Sequence, residues 1–439
     1  MFARFDFCFR LIDLLCTVCL VWWATGWLAP PVRAQTPFHA TSIHEAAHPA
    51  PGSSPSLPVL IQRVLAVHPL IERGGAEREA TQQLLNSARW ARFPSLQVGA
   101  ATTEAIGSST SWRLQQPIYT FGRIQAALDI AQANLEASHT SLDATRRALI
   151  ERSALAFSRL HAALEQVSLA RDNLSRHEAL NAFITRRAEG GLAARSDILL
   201  AEGRTAFARS RVSAFEGQAD QARAEIESLA RQRWSGSPGW TDVPVLADES
   251  AEVLGQRFVR ASVALQRLAS QIDAAKAEAT LSHSERYPVV LARLERATHT
   301  LTAQPDSRAV LTIDYQSGPG LSALSDHKAK LSRVDALRAE ARSQRDEIEL
   351  FAASLVSQRR ALVGQRESIL SQVRTADDTV SAFMRQFDAS RRSWLDVLNA
   401  ERERFDARLL LAQVEAALRD TELRVLTSSG AFDKWDGQR

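Results

Sequence analysis

RRSWLDVLNAERERFDARLLLAQVEAALRD, from Arg391 to Asp420, has a counterpart earlier in the chain: LAARSDILLAEGRTAFARSRV, from Leu192 to Val212. In the register that sets Asp197 against Asp396, Leu199 meets Leu398, Ala201 meets Ala400 and Glu202 meets Glu401. Ala208 then meets Ala407, and Arg209 meets Arg408. Each stretch carries an aspartate close behind a polar pair near its head, Arg195-Ser196 before Asp197 and Arg392-Ser393 ahead of Asp396, which is how helix N-termini read. The chain therefore carries one helical unit twice, 199 positions apart.

Proline placement extends the unit. Pro69, Pro94 and Pro117 fall early, and no proline follows until Pro238; Pro244, Pro288, Pro305 and Pro319 come next, and none follows to the end. An interior proline costs a helix ~3 kcal/mol, so long Ala/Leu/Glu/Arg-rich stretches without one are where long helices belong. Each run has a single break, Glu189-Gly190-Gly191 in the first and Asp388-Ala389-Ser390 in the second, where glycine favours a helix end. Each run thus predicts a helix of about 65 residues, a tight turn and a helix of about 40; at ~1.5 Å per residue the longer member reaches roughly 100 Å. Apolar residues fall at heptad-like spacing (Leu395, then Leu409, Ala416 and Leu423; Leu398, Phe405 and Ala412), as in coiled coils.

A different texture precedes each long run. Residues 93–100 and 111–116 form one candidate strand pair, and 287–294 with 309–315 a second. In the last of these, Leu311, Ile313 and Tyr315 alternate with Val310, Thr312 and Asp314, giving one apolar and one more polar face. Tyr119, Tyr287 and Tyr315 sit at strand edges with Trp90 and Trp112 nearby, as in the interfacial girdles of membrane β-barrels. Taken alone, strands this weak favour a soluble two-hairpin sheet with aromatic caps. If they are lipid-spanning, four cannot close a barrel, because single-chain barrels start at about eight. Three copies would supply twelve, with the long helices forming a tube beneath.

The expected organisation is a first repeat over 58–237 and a second over 238–430. The first has a helix, a β-hairpin at 93–119, a long helix at 122–189 and a helix at 192–232. The second has a helix at 248–285, a β-hairpin at 287–316, a long helix at 321–388 and a helix at 392–428, followed by a tail at 431–439. Composition adds limits. A net charge of +3 in 439 residues, with charges spread along the chain, argues against a nucleic-acid partner. Arg4 and Arg10 precede an apolar stretch, Leu11 to Leu28, and Val32-Arg33-Ala34 offers the small residues of a cleavage site. Residues 1–34 read as a signal peptide, with a membrane anchor as the alternative. Cys8, Cys16 and Cys19 all lie inside it, so the exported chain has no disulfide framework, thiolate nucleophile or cysteine metal site. Residues 35–57 are a Pro-rich leader. It contains His44-Glu45-Ala46-Ala47-His48, which matches the zincin pentapeptide but is followed at once by Pro49 and lacks a third ligand in helical register nearby. No phosphate loop or nucleophile motif is present, and no enzyme, metal or cofactor is expected.

At this point the chain resembles the TolC-like outer membrane factor family, over roughly residues 58 to 430. Gln116-Pro117-Ile118-Tyr119-Thr120-Phe121-Gly122-Arg123-Ile124 is similar to the family segment that enters its long helix. Gly191 to Asp197 fits Gly-Leu-x-x-x-x-Asp, and Ser393-Trp394-Leu395-Asp396-Val397-Leu398-Asn399-Ala400 fits the second-repeat motif. The resemblance implies a mainly α fold with a small β part: a homotrimer with a helical barrel and a 12-stranded transmembrane β-barrel. It implies an exit duct in the outer membrane with a large periplasmic part. Its partners would be outer-membrane lipid, a periplasmic adaptor and an inner-membrane ABC or proton-driven transporter.

The resemblance also implies roles for residues at the helical turns. Asp396 would line the pore constriction, and Asn399 occupies a second acidic site as an amide, so a trimeric ring would carry three carboxylates rather than six. Ser196, Asp197 and Arg392 fall where the family links neighbouring hairpins, and Trp112, Tyr119, Tyr287 and Tyr315 would mark the membrane interface. Phe387 stands where a hydroxylated aromatic would bond, and Ser390 replaces the glycine of the second turn. Read without the family, an aspartate at a helix start is an N-cap or dipole partner, and Arg392 is a solvated helix charge. Type I protein secretion is the expected service, on the variants at Tyr119–Ile124 and Gly318–Ala323. Tripartite small-molecule efflux is the alternative, and a soluble periplasmic coiled-coil scaffold is the alternative of another class.

Overall fold

The computed structural model of the chain describes residues 56–103, 107–234, 249–299, 306–315 and 322–432. The expected signal peptide at 1–34, nearly all of the expected leader with its His44–His48 pentapeptide, and residues 316–321 and 433–439 lie outside them. The described elements run α1 (Leu57–Val67), α2 (Pro69–Trp90), β1 (Ser95–Thr103), β2 (Gly107–Tyr119), α3 (Arg123–Glu189) and α4 (Arg195–Ala230), then α5 (Ala251–Ala261), α6 (Val263–Ser284), β3 (Val289–His299), β4 (Asp306–Asp314), α7 (Ser322–Asp388) and α8 (Trp394–Ser428). No described helix is long and apolar enough to cross a membrane.

The long helices α3 and α7 have 67 residues each. Their first and last residues are both 199 positions apart, so the offset seen in the opening alignment carries the whole length of the long helix. Residues 251–284, read from the sequence as one helix, form two. Ser262 is extended (φ −68, ψ 112), and its hydroxyl accepts from the Leu265 amide at 3.2 Å, capping α6. The same break occurs in the first repeat at His68 (φ −78, ψ 129), whose ring nitrogen accepts from Leu70. There Pro69 forces it, because a residue before proline is pushed to the extended region and proline suits the first helical position. A serine break leaves no proline to read.

Helix α3 is the axle of the molecule: it packs against α2 and α4 and also against α6 and α8. Twenty of its residues are buried, against six on α7, which packs on α5, α6 and α8. The largest core lies midway along the helices, where Leu57, Leu60, Ile61 and Val64 of α1 meet Phe157 and Leu160 of α3, Ile226 of α4 and Leu423 of α8. Phe432, assigned from the sequence to a tail, is also buried there. A smaller core seats Leu254 and Phe258 of α5 on Ala352 and Leu355 of α7.

The four strands form one antiparallel sheet in the order β1-β2-β3-β4, so the two hairpins join through β2 and β3. Their lengths are 9, 13, 11 and 9 residues, and about 9–11 residues suffice for a tilted membrane strand. The register sorts the side chains. Leu96, Leu114, Leu294 and Ala309 stand in one cross-strand row, and Ala292 with Leu311 and Val290 with Ile313 continue that face. The other face carries Gln97, Arg113, Glu295 and Arg308 in a row. Arg113 reaches Glu295 at 2.6 Å and Arg308 reaches it at 2.7 Å; Arg293 bonds Gln115 and Asp314. The first face is largely apolar and exposed, with Leu96, Val98, Leu311 and Ile313 all more than 60% accessible and Gln116 and Arg296 its polar exceptions. The strand edges β1 and β4 have no partner strand within the sheet.

Tyr119, Tyr287 and Tyr315 stand at the helix-side end of this sheet, where Tyr119 packs edge-on to Phe121 (4.6 Å) and Phe121 stacks on Tyr287 (5.0 Å). Trp112, expected among the strand-end aromatics, instead lies within β2 opposite Val98 and Arg296, because β2 runs several residues further from the helices than its sequence pattern suggested. The strand-to-helix joint is left-handed at Phe121 (φ 49) and Gly122 (φ 89). It delivers Arg123 across to the other repeat, where the guanidinium donates to the carbonyls of Ser284 (3.2 Å), Glu285 (2.8 Å) and Tyr287 (2.6 Å). A cation on the terminal carbonyls of α6 is favoured by the helix dipole as well as by the bonds.

Candidate functional site at the helical-hairpin tips

At the end of the helices remote from the sheet, α3 turns into α4 and α7 into α8. Both turns close by the same two bonds. Leu192 N–H donates to Arg187 O (2.8 Å) and Gly191 N–H to Ala188 O (2.9 Å); 199 positions on, Arg391 donates to Gln386 O (2.8 Å) and Ser390 to Phe387 O (2.9 Å). This is a Schellman closure, which requires a left-handed residue after the helix. Gly191 supplies it at φ 73, and Ser390 adopts it at φ 55.

The helices that leave the turns are capped unequally. In α8 the Ser393 hydroxyl accepts from the Asp396 amide (3.2 Å), and the Asp396 carboxylate accepts from the Ser393 amide (3.3 Å), a complete capping box. In α4 alanine occupies the cap position, so only the return bond from the Ala194 amide to Asp197 (3.3 Å) is made. The Ser393 hydrogen bonds, with Arg392 3.6 Å away, hold the Asp396 carboxyl below its ordinary value. Asp396 is thus an ionised cap at a half-buried position, while Asn399 one turn on is also half-buried. Arg392 lies over the Phe383 ring (4.2 Å) and bonds Gln386. Within one chain its partners, like those of Asp396, belong to its own hairpin. Ser196 is exposed on the first turn of α4.

What joins the two hairpins is a set of residues of which sequence reasoning gave weight to Phe387 alone. Arg187 of α3 lies 4.9 Å from the centroid of the Phe387 ring and 3.8 Å from the Asp388 carboxylate. Phe183 meets Phe387 (6.2 Å) and Trp394 (6.3 Å), and Phe387 meets Trp394 (5.2 Å). Leu180, Ile184, Val397 and Leu398 form the apolar bed beneath. Phe387 was read as a lost hydroxyl; its place in the structure is the centre of an aromatic and cation–π cluster. The signal was present as an aromatic or arginine near the end of each long helix.

Further up the hairpins, three arginines and three carboxylates interlock between α3, α7 and α8. Arg408 donates to Asp377 (2.8 and 3.0 Å) and lies 3.7 Å from Asp172, which Arg176 also binds at 2.9 Å. Buried Arg404 pairs with buried Glu401 and lies 3.9 Å from Asp377. Burial pushes the Glu401 carboxyl up, against the pull of Arg404. Beside them His177 is buried, and desolvation, with Arg204 and Arg404 nearby, lowers its pKa. The Arg408–Asp377 pair repeats Arg209–Glu178 (3.4 Å) of the first repeat, and it extends the correspondence that the opening alignment began.

Residues 60–230 match the family model described as outer membrane efflux protein. No curated protein matches the chain in sequence. Among solved structures, the transmembrane channel CusC superposes with a TM-score of 0.75 at 15% identity, over 85% of this chain and 91% of its own. The outer-membrane channel OprN gives 0.74 at 19%, over 85% and 89%. VceC, an outer membrane protein of Vibrio cholerae, gives 0.75 at 14%, over 85% and 96%. At such identities the likeness is one of fold, and it spans both repeats, whereas the sequence match spans the first. The match over residues 60–230 is thus to the outer membrane efflux protein family, and the fold of the chain is that of the channels CusC, OprN and VceC.

Proposed function

We propose that three copies of the chain form an outer-membrane exit duct, served by a periplasmic adaptor and an inner-membrane transporter. The observation that carries this reading is the sheet: one largely apolar face, one charged face and two free edges, on helices long enough for a tunnel. A four-stranded sheet with these faces suits a lipid-facing exterior and a watery lumen, and pairing β4 of one copy with β1 of the next removes its edges. The bare flank of α7 gives the helices of a second copy a place to pack. Outer-membrane fractionation followed by native mass measurement tests the reading; a freely soluble monomer would sink it, together with the trimer and the partners.

Within that reading, Asp396 rings the narrow end of the tunnel, with Asn399 as a neutral second layer and Ser196, Asp197 and Arg392 as links between neighbouring hairpins. Three carboxylates attract cations more weakly than six would. The Ser393 bonds favour the ionised form of Asp396, so cation preference should persist in mildly acidic solution. Replacing Asp396 by Ala should reduce cation selectivity in planar bilayers; unchanged selectivity would remove Asp396 from the ring.

The segment Tyr119–Ile124 supports type I protein secretion as the service, and the description of the matched family supports small-molecule efflux. Deleting the gene and measuring secreted protein and drug sensitivity side by side separates the two services.

A further inference from the structure

We infer that His283 and His327 bind one divalent transition-metal ion of the zinc and copper class, which clamps the start of α7 to the end of α6. His283 lies in the last turn of α6 and His327 in the second turn of α7. They stand on opposite walls of an open groove of about 540 Å³, next to where these helices meet the sheet.

The two rings are 5.4 Å apart between centroids and tilted by 60°. Two imidazoles bonded to one tetrahedral zinc at about 2.0–2.1 Å have ring centroids about 5 Å apart, so the pair already stands near ligating separation. The tautomer of His327 is fixed by its partner. Its Nδ1 lies 3.1 Å from the Ala279 carbonyl oxygen, which can only accept, so Nδ1 carries the proton and Nε2 keeps its lone pair. Metal-bound histidines are held in this way, with the second nitrogen donating to a backbone carbonyl. His283 is exposed, so a side-chain rotation brings a nitrogen to the same ion.

Among the described residues no third histidine, cysteine or carboxylate completes a metal-binding set, and water fills the remaining positions. Imidazole and water suit zinc, copper(II) or nickel, whereas calcium and magnesium call for a shell of oxygens and copper(I) for sulfur. Cations in and beside the groove would repel such an ion, but each has its own carboxylate. Lys276 pairs with Asp273 (2.7 Å), Lys330 with Glu278 (2.7 Å) and Arg338 with Asp335 (3.1 Å).

The internal repeat shows what the ion would supply. At the start of α3, Leu128 is buried and Arg123 donates to three carbonyls at the end of α6. The positions 199 residues on are His327 and Ser322, and the first buried residue of α7 is Val334. A polar ring thus replaces a packed leucine at a joint that has also lost its arginine. An ion shared with His283 makes that joint good.

Calorimetric titration with Zn2+ tests the site in untagged protein carrying His39→Ala, His44→Ala and His48→Ala, which removes the histidines of the leader. One ion should bind per chain, and His283→Ala and His327→Leu should each weaken binding by about tenfold or more. His327→Leu restores the residue of the first repeat, so it removes the ligand while keeping an apolar contact. Electron paramagnetic resonance with Cu2+ should show two nitrogen ligands in the parent and fewer in each variant. Zn2+ should also slow amide exchange over residues 322–334 in the parent and not in His327→Leu.

Titration without a one-ion stoichiometry, binding that survives either substitution, or a spectrum with a single nitrogen overturns the site. Exchange over 322–334 that Zn2+ leaves unchanged overturns the clamp. Both ligands come from one chain, so the outcome is independent of the trimeric duct proposed above.

Discussion

Ser390 holds a conformation that suits glycine. Its counterpart Gly191 shows what the turn asks for, and the two turns share every closing bond, so the only difference lies in the penalty for a side chain at positive φ. Changing Ser390 to Gly should stabilise the protein by about 0.5–1 kcal/mol, read as a shift in the denaturant midpoint with an unchanged slope, and Gly191→Ser should cost a similar amount. His177 gives a second prediction. Burial lowers its pKa below 6.5, and Arg204 of α4 and Arg404 of α8 add to the shift. The unfolded chain therefore takes up its proton first, and stability falls as pH drops below the unfolded value of about 6.5. Glu401, raised by burial, works in the opposite sense above its own unfolded value. His177→Gln should flatten the loss between pH 6.5 and 5 in thermal melts, and a variant as acid-sensitive as the parent would remove His177 as its cause. Asp396 was legible from the sequence as a cap; the Phe183–Arg187–Phe387–Trp394 cluster was not, because its members come from different turns and meet only when two hairpins lie side by side.

At the scale of elements, the long helices were the most legible part. Proline-free runs and two glycine or serine turns mark α3, α4, α7 and α8 almost to the residue, because nothing but a helix suits such composition over so many turns. The short helices were less so, since Ser262 interrupts the second pair with a hydroxyl cap that looks like any surface serine. The strands were shorter in the sequence reading than in the structure: β2 reaches Gly107 through a Gly/Ser/Thr-rich stretch that carries no apolar alternation. Their faces can be tested directly. Leu311→Arg on the apolar face should cost about 2–4 kcal/mol if that face meets lipid at mid-depth, visible as loss of the heat-sensitive trimer on gels. Thr312→Arg, one residue along and on the charged face, should leave the trimer intact; equal damage from both would mean that neither face meets lipid.

For the molecule as a whole, the sheet order has a consequence for how the chain is assembled in time. Strand β2 pairs with β3, and Tyr119 finds Val290 only after the entire first helical hairpin has intervened. Contacts this distant in sequence are slow to form, since loop closure must precede any gain from pairing. The first β-hairpin can fold as soon as it emerges, but one of its edges stays bare until the second repeat arrives. During that interval it is the part of the chain most open to wrong pairing. Refolding from urea should therefore show helix signal recovering before the sheet. The late phase should lengthen in a circular permutant that joins the natural ends and opens between α4 and α5, because the path from β3 to β2 then runs through α7, α8 and the joined ends and is longer than the natural one.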